Sequence, residues 1–334
     1  MSEVQNEDIE RKAVIFNVQK YNTFDGPGVR TLIFFQGCPL RCKWCANPEG
    51  LERKFKVMFK ADVCVNCNRC VAVCPNGVHQ MSADTGRHLI DRGKKCIGCR
   101  ACESACLVKA LNIAGEEKSI SELLDIIMED KDFYMMSGGG VTLGGGEVTS
   151  QPEAAGSLLS ACKKSGIGTA IETCGYVKPE NLRMLAPFVD LFLFDIKHID
   201  SERHYEWTGV RNELIIENVK WLLGNNKNVK IRMPLLKGVN DRREDIEGIV
   251  KLLTPYQDYN NFKGIDLLPY HKMGVNKYKQ LDMEYQIEGD PSLSAEDLDR
   301  IEKWEGKTVK ECILSDTLKR FVNKEDFKQW HVLF

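Results

Sequence analysis

The chain has 334 residues, 43% hydrophobic and 28% charged, with a formal net charge of −2. That length suggests one large domain, or two with an insert; the charge gives no basic field for nucleic acid, and no apolar run of about 18 residues offers a membrane-spanning helix. The opening MSEVQNEDIERK is acidic and polar, unlike a secretory signal, so the expected setting is the cytoplasm, where clustered cysteines bind metal more often than they form disulfides.

In chain order, RTLIFFQ (30–36) reads as a buried strand. A cysteine-rich window, 46–115, then interrupts the pattern. Ser119 with Glu122 forms a capping box for the helix SISELLDIIMED. GVTLG is a strand, and Pro152 opens a helix running through Cys162. GTAIET, DLFLFDI, NVKIRMPLL and GIDLLPY are further strands. Between them lie the helices PENLRMLA, NELIIENVKWLL (capped by Asn212) and 241–253. Six β–α units of this kind predict a parallel sheet closing toward an incomplete barrel with helices outside. The domains expected are a body of 13–45 and 116–300, an insert of 46–115, and a tail of 301–334 without an assigned role.

Polar and glycine residues follow these strands: Cys38, then Gly144–Glu147, Glu172 and Thr173, Asp195 and Lys197, Arg232, and His271. In parallel barrels the C-terminal strand ends carry the active site, so residues scattered along the chain are expected at one mouth.

Eleven of the 14 cysteines fall between Cys38 and Cys106, grouped three, four and four. Cys38, Cys42 and Cys45 supply three thiolates, which leaves one iron of a cubane without a protein ligand, free to bind a substrate. Zinc would need a fourth ligand; no histidine lies between Arg30 and Cys64, and Cys64, which could supply one in principle, begins a ferredoxin run of its own. The two fours match the ferredoxin spacing C-x2-C-x2-C-x3-C, in which the fourth cysteine of each run serves the other cluster. The sets expected are therefore Cys64, Cys67, Cys70 and Cys106 on one [4Fe–4S] cluster, and Cys96, Cys99, Cys102 and Cys74 on the other. Such an insert is an electron path, a docking surface for a donor, or a structural staple. Cys162, Cys174 and Cys312 read as ordinary, Cys162 as a small buried hydrophobe and Cys174 beside the mouth.

DGPGVRTLIFFQGCPLRCKWC, SGGGVTLGGGE, ETCGY, FDIKHID, TGVRNELIIEN and LLPYHKMGVNKYKQL together resemble the glycyl-radical-enzyme activating enzymes, a radical S-adenosylmethionine family, over about residues 13–281. The resemblance implies a partial (β/α)6 TIM-like barrel with a ferredoxin-like insert, three [4Fe–4S] clusters in all, and S-adenosylmethionine on the open iron. Its implied chemistry is anaerobic reductive cleavage to a 5′-deoxyadenosyl radical that takes a hydrogen from a glycine of a partner enzyme. The implied catalytic set is Cys38, Cys42, Cys45 and Lys197. Implied cofactor contacts are Trp44, Cys45, Ala46, Gly145, Gly146, Glu147, Glu172, Thr173, Asp195, Ile196, Lys197, Arg232 and His271. Within it, Glu147 corresponds to a residue near the methionine amino group, Asp195 and Lys197 to a D-x-K motif, and Arg232 to a partner for the methionyl carboxylate. Gly144 and Val148 depart from the family's usual Ser-Gly-Gly-Glu-Pro.

Among family members, RKAVIFNVQKYNTFDGPGVRTLIFF, GGGVTLGGGE and FKGIDLLPYHKMGVNKYKQL are most similar to those that serve a choline trimethylamine-lyase. Activators of glycerol or propanediol dehydratase, or of arylacetate decarboxylases, share most of the motifs. A non-catalytic multi-cluster electron carrier is the alternative of another class. The resemblance also implies a flavodoxin or ferredoxin as electron donor, and a setting that includes a bacterial microcompartment.

Overall fold

The computed structural model describes residues 9–305 and 312–314. Its body is a nine-stranded sheet. The chain enters through β1 (Lys12–Asn22) and β2 (Arg30–Phe35), leaves the body for β3 (Lys56–Phe59), β4 (His79–Met81), β5 (His88–Ile90) and β6 (Leu111–Ala114), and returns as β7 (Glu116–Ser119). The strands β8 (Gly140–Gly145), β9 (Gly168–Thr173), β10 (Leu191–Asp195), β11 (Val229–Leu235), β12 (Phe262–Pro269) and β13 (Cys312–Leu314) follow. The sheet order is β13-β12-β11-β10-β9-β8-β2-β1-β7. From β2 to β13 every pairing is parallel. β1 is antiparallel to both β2 and β7.

The parallel strands are apolar because both faces are covered. β8 is buried along all but its last residue. Helices Pro152–Lys164, Glu213–Gly224 and Arg243–Leu253 each turn one apolar face to the core, through Leu158, Leu159 and Cys162, through Val219 and Leu222, and through Ile246 and Ile249. They meet Phe35, Phe192 and Phe194, all fully buried, and each such side chain contributes about 1.5–3 kcal/mol on burial. The Ser119 capping box is present: Glu122 N donates to Ser119 Oγ at 3.1 Å and Ser119 N to Glu122 Oε2 at 2.7 Å. No helix among the described residues is long and apolar enough to cross a membrane.

The six parallel strands expected are all present, and the structure adds three. β13 is a seventh parallel strand, from the stretch assigned to the tail; three residues signal little alone, and its register with Ile265, Asp266 and Leu267 is a long-range gain. The rest of that tail lies outside the described residues. β1 has no regular alternation of burial, because its register with β2 slips between Ile15 and Asn17. β7 is a short polar edge paired with β1. Asn212 stands at the helix start, but its side chain does not cap it; Nδ2 donates instead to His198 O and Ile199 O at 3.0 and 2.8 Å.

Beyond the body, β3 and β6 pair antiparallel, as do β4 and β5. Two five-residue helices, Arg69–Val73 and Ala101–Ala105, accompany them. Val57, Val78, Leu111 and Ile113 form a separate small core with Cys70 and Cys102. Residues 48–51 remain with the body: Gly37 N donates to Gly50 O at 2.8 Å and Cys38 N to Leu51 O at 3.1 Å.

Candidate active site

The loop after β2 carries Cys38, Cys42 and Cys45, and two elements clamp it. On one side, Arg41 N donates to Thr208 O at 2.7 Å and Lys43 N to Trp207 O at 3.0 Å, both at the end of helix Ser201–Thr208. The ring of Trp44 lies 6.3 Å from that of Trp207, over which Lys43 Nζ sits at 4.6 Å. On the other side, Gly274 packs so closely that a Cβ there would fall 2.8 Å from Ala46 Cα and 3.1 Å from Cys45 O. Lys277 Nζ donates to Asn47 Oδ1 at 3.0 Å and Glu49 Oε1 at 2.6 Å.

The three thiols share one electrostatic environment. Burial pushes the Cys42 thiol up, and Cys45 and Cys38 push it further, against Lys197. Burial likewise raises Cys45, to about 11. Cys38 is lowered, foremost by a hydrogen bond from the Cys174 thiol. Lys197 is the counter-cation. Burial alone would lower its pKa, but Asp195 and the Cys42 thiolate outweigh burial and raise it. Its Nζ lies 2.9 Å from Asp195 Oδ2. Asn240 fixes the turn beneath, donating to Lys197 O at 2.8 Å and Pro234 O at 2.6 Å.

Glu147 is 1% exposed and fully engaged. Oε1 accepts from Thr149 N, Thr149 Oγ1 and Thr173 Oγ1 at 3.0, 2.7 and 2.9 Å, and Oε2 from Cys174 N at 2.8 Å. It ties the end of β8 to the end of β9. Gly145 has φ +105°, and a Cβ on it would lie 2.8 Å from Phe34 Cα; on Gly146 it would meet Gly37 O at 2.6 Å. The close approach these glycines permit is therefore to the protein's own backbone.

Arg232, in β11, gathers a second group. It pairs with Asp25 Oδ1 at 2.8 Å and with Glu172, and Nη2 donates to Phe24 O at 2.8 Å. Burial would lower the Arg232 pKa, but Glu172 and Asp25 raise it. Glu172 is held well above the usual carboxylate range by burial and by Asp25, against Arg232. A Cβ on Gly144 would fall 2.5 Å from Glu172 Oε2, so glycine at this position leaves room for the carboxylate. Ile196 donates its N–H to Arg232 O at 2.9 Å and buries its side chain in the core. His271 is exposed, its ring 6.5 Å from that of Tyr270.

The structure thus brings together Cys38, Cys42, Cys45, Asp195 and Lys197, with Glu147 and Thr173 behind them through Cys174, and sets Glu172 with Arg232. Sequence reasoning missed Cys174 as a partner of Cys38, Asp25 as a partner of Arg232, and Asn240 and Trp207 as supports. Asp25 stood in the DGPGVR motif; its pairing with a residue 207 positions away had no local signal.

In the insert, Cys74, Cys96, Cys99 and Cys102 line one small pocket. Cys70 has Cys64 and Cys67 as charge neighbours, after burial the causes that raise its pKa, while backbone N–H groups oppose them. Val78 N donates to Cys74 Sγ at 3.3 Å and Ala110 N to Cys106 Sγ at 3.2 Å. A spacing of 32 residues relates the two runs, Cys64 to Cys96 and Cys74 to Cys106.

Soft thiolates beside a fixed ammonium suit an iron–sulfur cluster, so the residues fit the group that the comparisons imply. A family model described as the radical SAM superfamily matches residues 32–253. Over 294 residues the chain is 66% identical to the choline trimethylamine-lyase activating enzyme of Oleidesulfovibrio alaskensis, covering 88% of this chain and 95% of that one. It is 37% identical over 305 residues to the isethionate sulfite-lyase activating enzyme of Nitratidesulfovibrio vulgaris (88% and 95% covered). It is 39% identical over 291 residues to the trans-4-hydroxy-L-proline dehydratase activating enzyme of Clostridioides difficile (87% and 95% covered). Membership implies a [4Fe–4S] cluster and S-adenosylmethionine. The chain therefore belongs to the radical SAM superfamily and, within it, to the enzymes that activate glycyl radical enzymes.

Proposed function

We propose that this chain activates a choline trimethylamine-lyase by generating a radical on a glycine of that partner. The observation that carries the reading is the 66% identity to an activator of that lyase along nearly the whole of both chains. When bound, the cluster and S-adenosylmethionine supply reductive cleavage to a 5′-deoxyadenosyl radical, the species that abstracts the glycine hydrogen.

The chain's own residues prepare the site. Cys38, Cys42 and Cys45 would hold the cluster, with Lys197 offsetting their charge from 13% side-chain exposure. Trp44 and Ala46 extend the same loop, Gly145 and Gly146 narrow the mouth, and Thr173 and Glu147 stiffen the ends of β8 and β9. Arg232, Glu172 and Asp195 stand on the adjacent strands β11, β9 and β10, where they would orient the charged methionyl portion, with Ile196 as backbone between them and His271 at the rim. We read 13–45 and 116–300 as a partial (β/α)6 barrel body, with the ferredoxin-like insert at 46–115.

The insert would hold two further clusters. The shared cavity of Cys74, Cys96, Cys99 and Cys102 supports the crossed ligand sets, and the 32-residue repeat carries the same logic to Cys64, Cys67, Cys70 and Cys106. Its role is to pass electrons from a flavodoxin or ferredoxin.

Anaerobic reconstitution is expected to give about twelve irons per chain, four per cluster. Mixing the reduced protein with S-adenosylmethionine and choline trimethylamine-lyase is expected to give a glycyl radical by electron paramagnetic resonance. A signal with a sulfite-lyase or decarboxylase partner alone would sink the choline assignment. About four irons would sink the two-cluster insert and leave the activator reading standing.

A further inference from the structure

The hairpin between the two cysteine runs carries two imidazoles that the function above does not use. His79 begins β4 and His88 begins β5; they are 1% and 4% exposed. Their rings stack with centroids 5.2 Å apart, and His79 Nδ1 lies 3.0 Å from His88 Nε2. The outer nitrogens, His79 Nε2 and His88 Nδ1, are buried with no hydrogen-bond partner among the described residues.

These outer nitrogens cannot both be bare acceptors. If His79 Nδ1 donates, His88 accepts on Nε2 and carries its proton on Nδ1. If His88 Nε2 donates, the His79 proton sits on Nε2. Either tautomer leaves one outer N–H, and a protonated pair leaves two. A buried N–H without an acceptor is costly, so each such group needs one. A candidate acceptor lies nearby, although neither outer nitrogen hydrogen-bonds it in this structure: one nitrogen of each ring and the buried Cys70 Sγ all lie within 4.8 Å of one another.

The second cysteine run lacks this device. The spacing that carries Cys70 onto Cys102 carries His79 onto Leu111. Leu111 packs in the same small apolar core as Cys102 and has no side-chain donor. The two halves repeat their cysteines and differ in what faces the buried sulfur.

Resting on the reading that the insert holds two clusters, we infer that the His79–His88 pair donates an N–H hydrogen bond to the Cys70 thiolate and so holds the cluster of Cys64, Cys67, Cys70 and Cys106 at a higher reduction potential than its neighbour. A donor aimed at a cluster sulfur favours the electron-rich reduced state. The imidazoles are positioning residues and ligate no iron. An electron entering the insert settles beside them.

Redox titration of the reconstituted full chain, followed by electron paramagnetic resonance, tests this on wild type, the double variant His79→Leu/His88→Leu, and His79→Gln, which keeps an outer N–H. The double variant is expected to hold wild-type iron while one couple falls by about 59 mV or more, a tenfold change for one electron. His79→Gln is expected to keep most of the potential. Electron–nuclear double resonance on wild type is expected to show an exchangeable proton coupled to that same cluster. Unchanged potentials in the double variant overturn the inference, as does a wild type without the coupled proton. Loss of about four irons from the double variant overturns it too, because the imidazoles would then be ligands or props. A wild type with only about four irons refutes the two-cluster reading instead, and the iron assay reports that before any potential is measured.

Discussion

Gln151 replaces backbone that β1 cannot supply. Its Oε1 accepts from Val14 N at 2.9 Å, and Nε2 donates to Val14 O at 2.7 Å and Gln36 O at 2.8 Å. It acts where the β1–β2 register slips, and is 5% exposed. Gln151→Ala removes three hydrogen bonds at about 1 kcal/mol each and strands a buried N–H, so the urea midpoint is expected to fall by the equivalent of about 2–4 kcal/mol. An unchanged midpoint would mean that water takes over the role. Gly144→Ser is the complementary case: its side chain would collide with Glu172 Oε2. What must give way is the far end of the Glu172 side chain and not backbone, so the cost in stability is small, but the shifted carboxylate would loosen its pairing with Arg232. S-adenosylmethionine cleavage is expected to drop at least severalfold, and Glu172→Gln in the same background would not restore it. The cysteines were legible because three or four thiols on one short loop leave a fixed spacing. Gly144 and Asp25 stood in motifs, but their partners, like those of Gln151, lie far along the chain and appear only once it is folded.

At the scale of an element, helix Ser201–Thr208 shows how the fold serves the cysteine loop. Asp200 caps it, accepting from Arg203 N at 2.8 Å. Its terminal carbonyls, orphans in any helix, accept from Arg41 and Lys43 of the loop. Strand and helix periodicity located most of the parallel core, and the Ser119 box marked a helix start correctly. The 201–208 helix escaped because SERHYEWT has few apolar residues; it is held by caps and by buried His204. That histidine is fully buried, with Nδ1 2.6 Å from Val210 O, and His198 is 1% exposed. Burial lowers the pKa of both, opposed by the Val210 carbonyl at His204 and by Asp245 at His198. The sign follows from proton uptake: as pH falls below about 6.5 the unfolded chain binds protons that the folded chain refuses. This contribution to stability is whole above that pH and is lost as pH falls through the depressed folded values. The urea midpoint of the iron-free chain is therefore expected to drop between pH 7.5 and 5.5, and His204→Gln to flatten part of the drop. A midpoint that rises on acidification would contradict the account.

Across the whole molecule, one segment after β12 touches both the cysteine loop and the insert. Gly274 and Lys277 press on Ala46, Asn47 and Glu49. A few residues later, Leu281 packs with Met58 and Ala114 of the insert, and Met283 joins them. Arg92 fastens the joint from the insert side. Its Nε lies 2.9 Å from Asp282 Oδ2, Nη2 donates to Gln280 O at 2.9 Å, and Nη1 donates to Val57 O. Asp282 is more than half exposed, so the ion pair alone adds at most about 1 kcal/mol. The two carbonyls matter more, because an Arg to Ala change leaves both without a charged donor. Arg92→Ala is thus expected to weaken the joint by about 1–3 kcal/mol without touching any cysteine. Iron content should stay at the wild-type value. Hydrogen exchange at the amides of Leu281 and Met283, which donate to Lys277 O and Tyr278 O, should quicken by about tenfold or more as local opening becomes easier. If the insert relays electrons, radical formation should slow in step with that opening when a protein donor supplies the electrons. Fast exchange with an undiminished rate would separate the joint from electron delivery; unchanged exchange would leave the apolar contact of Met58, Ala114 and Leu281 as the true fastening.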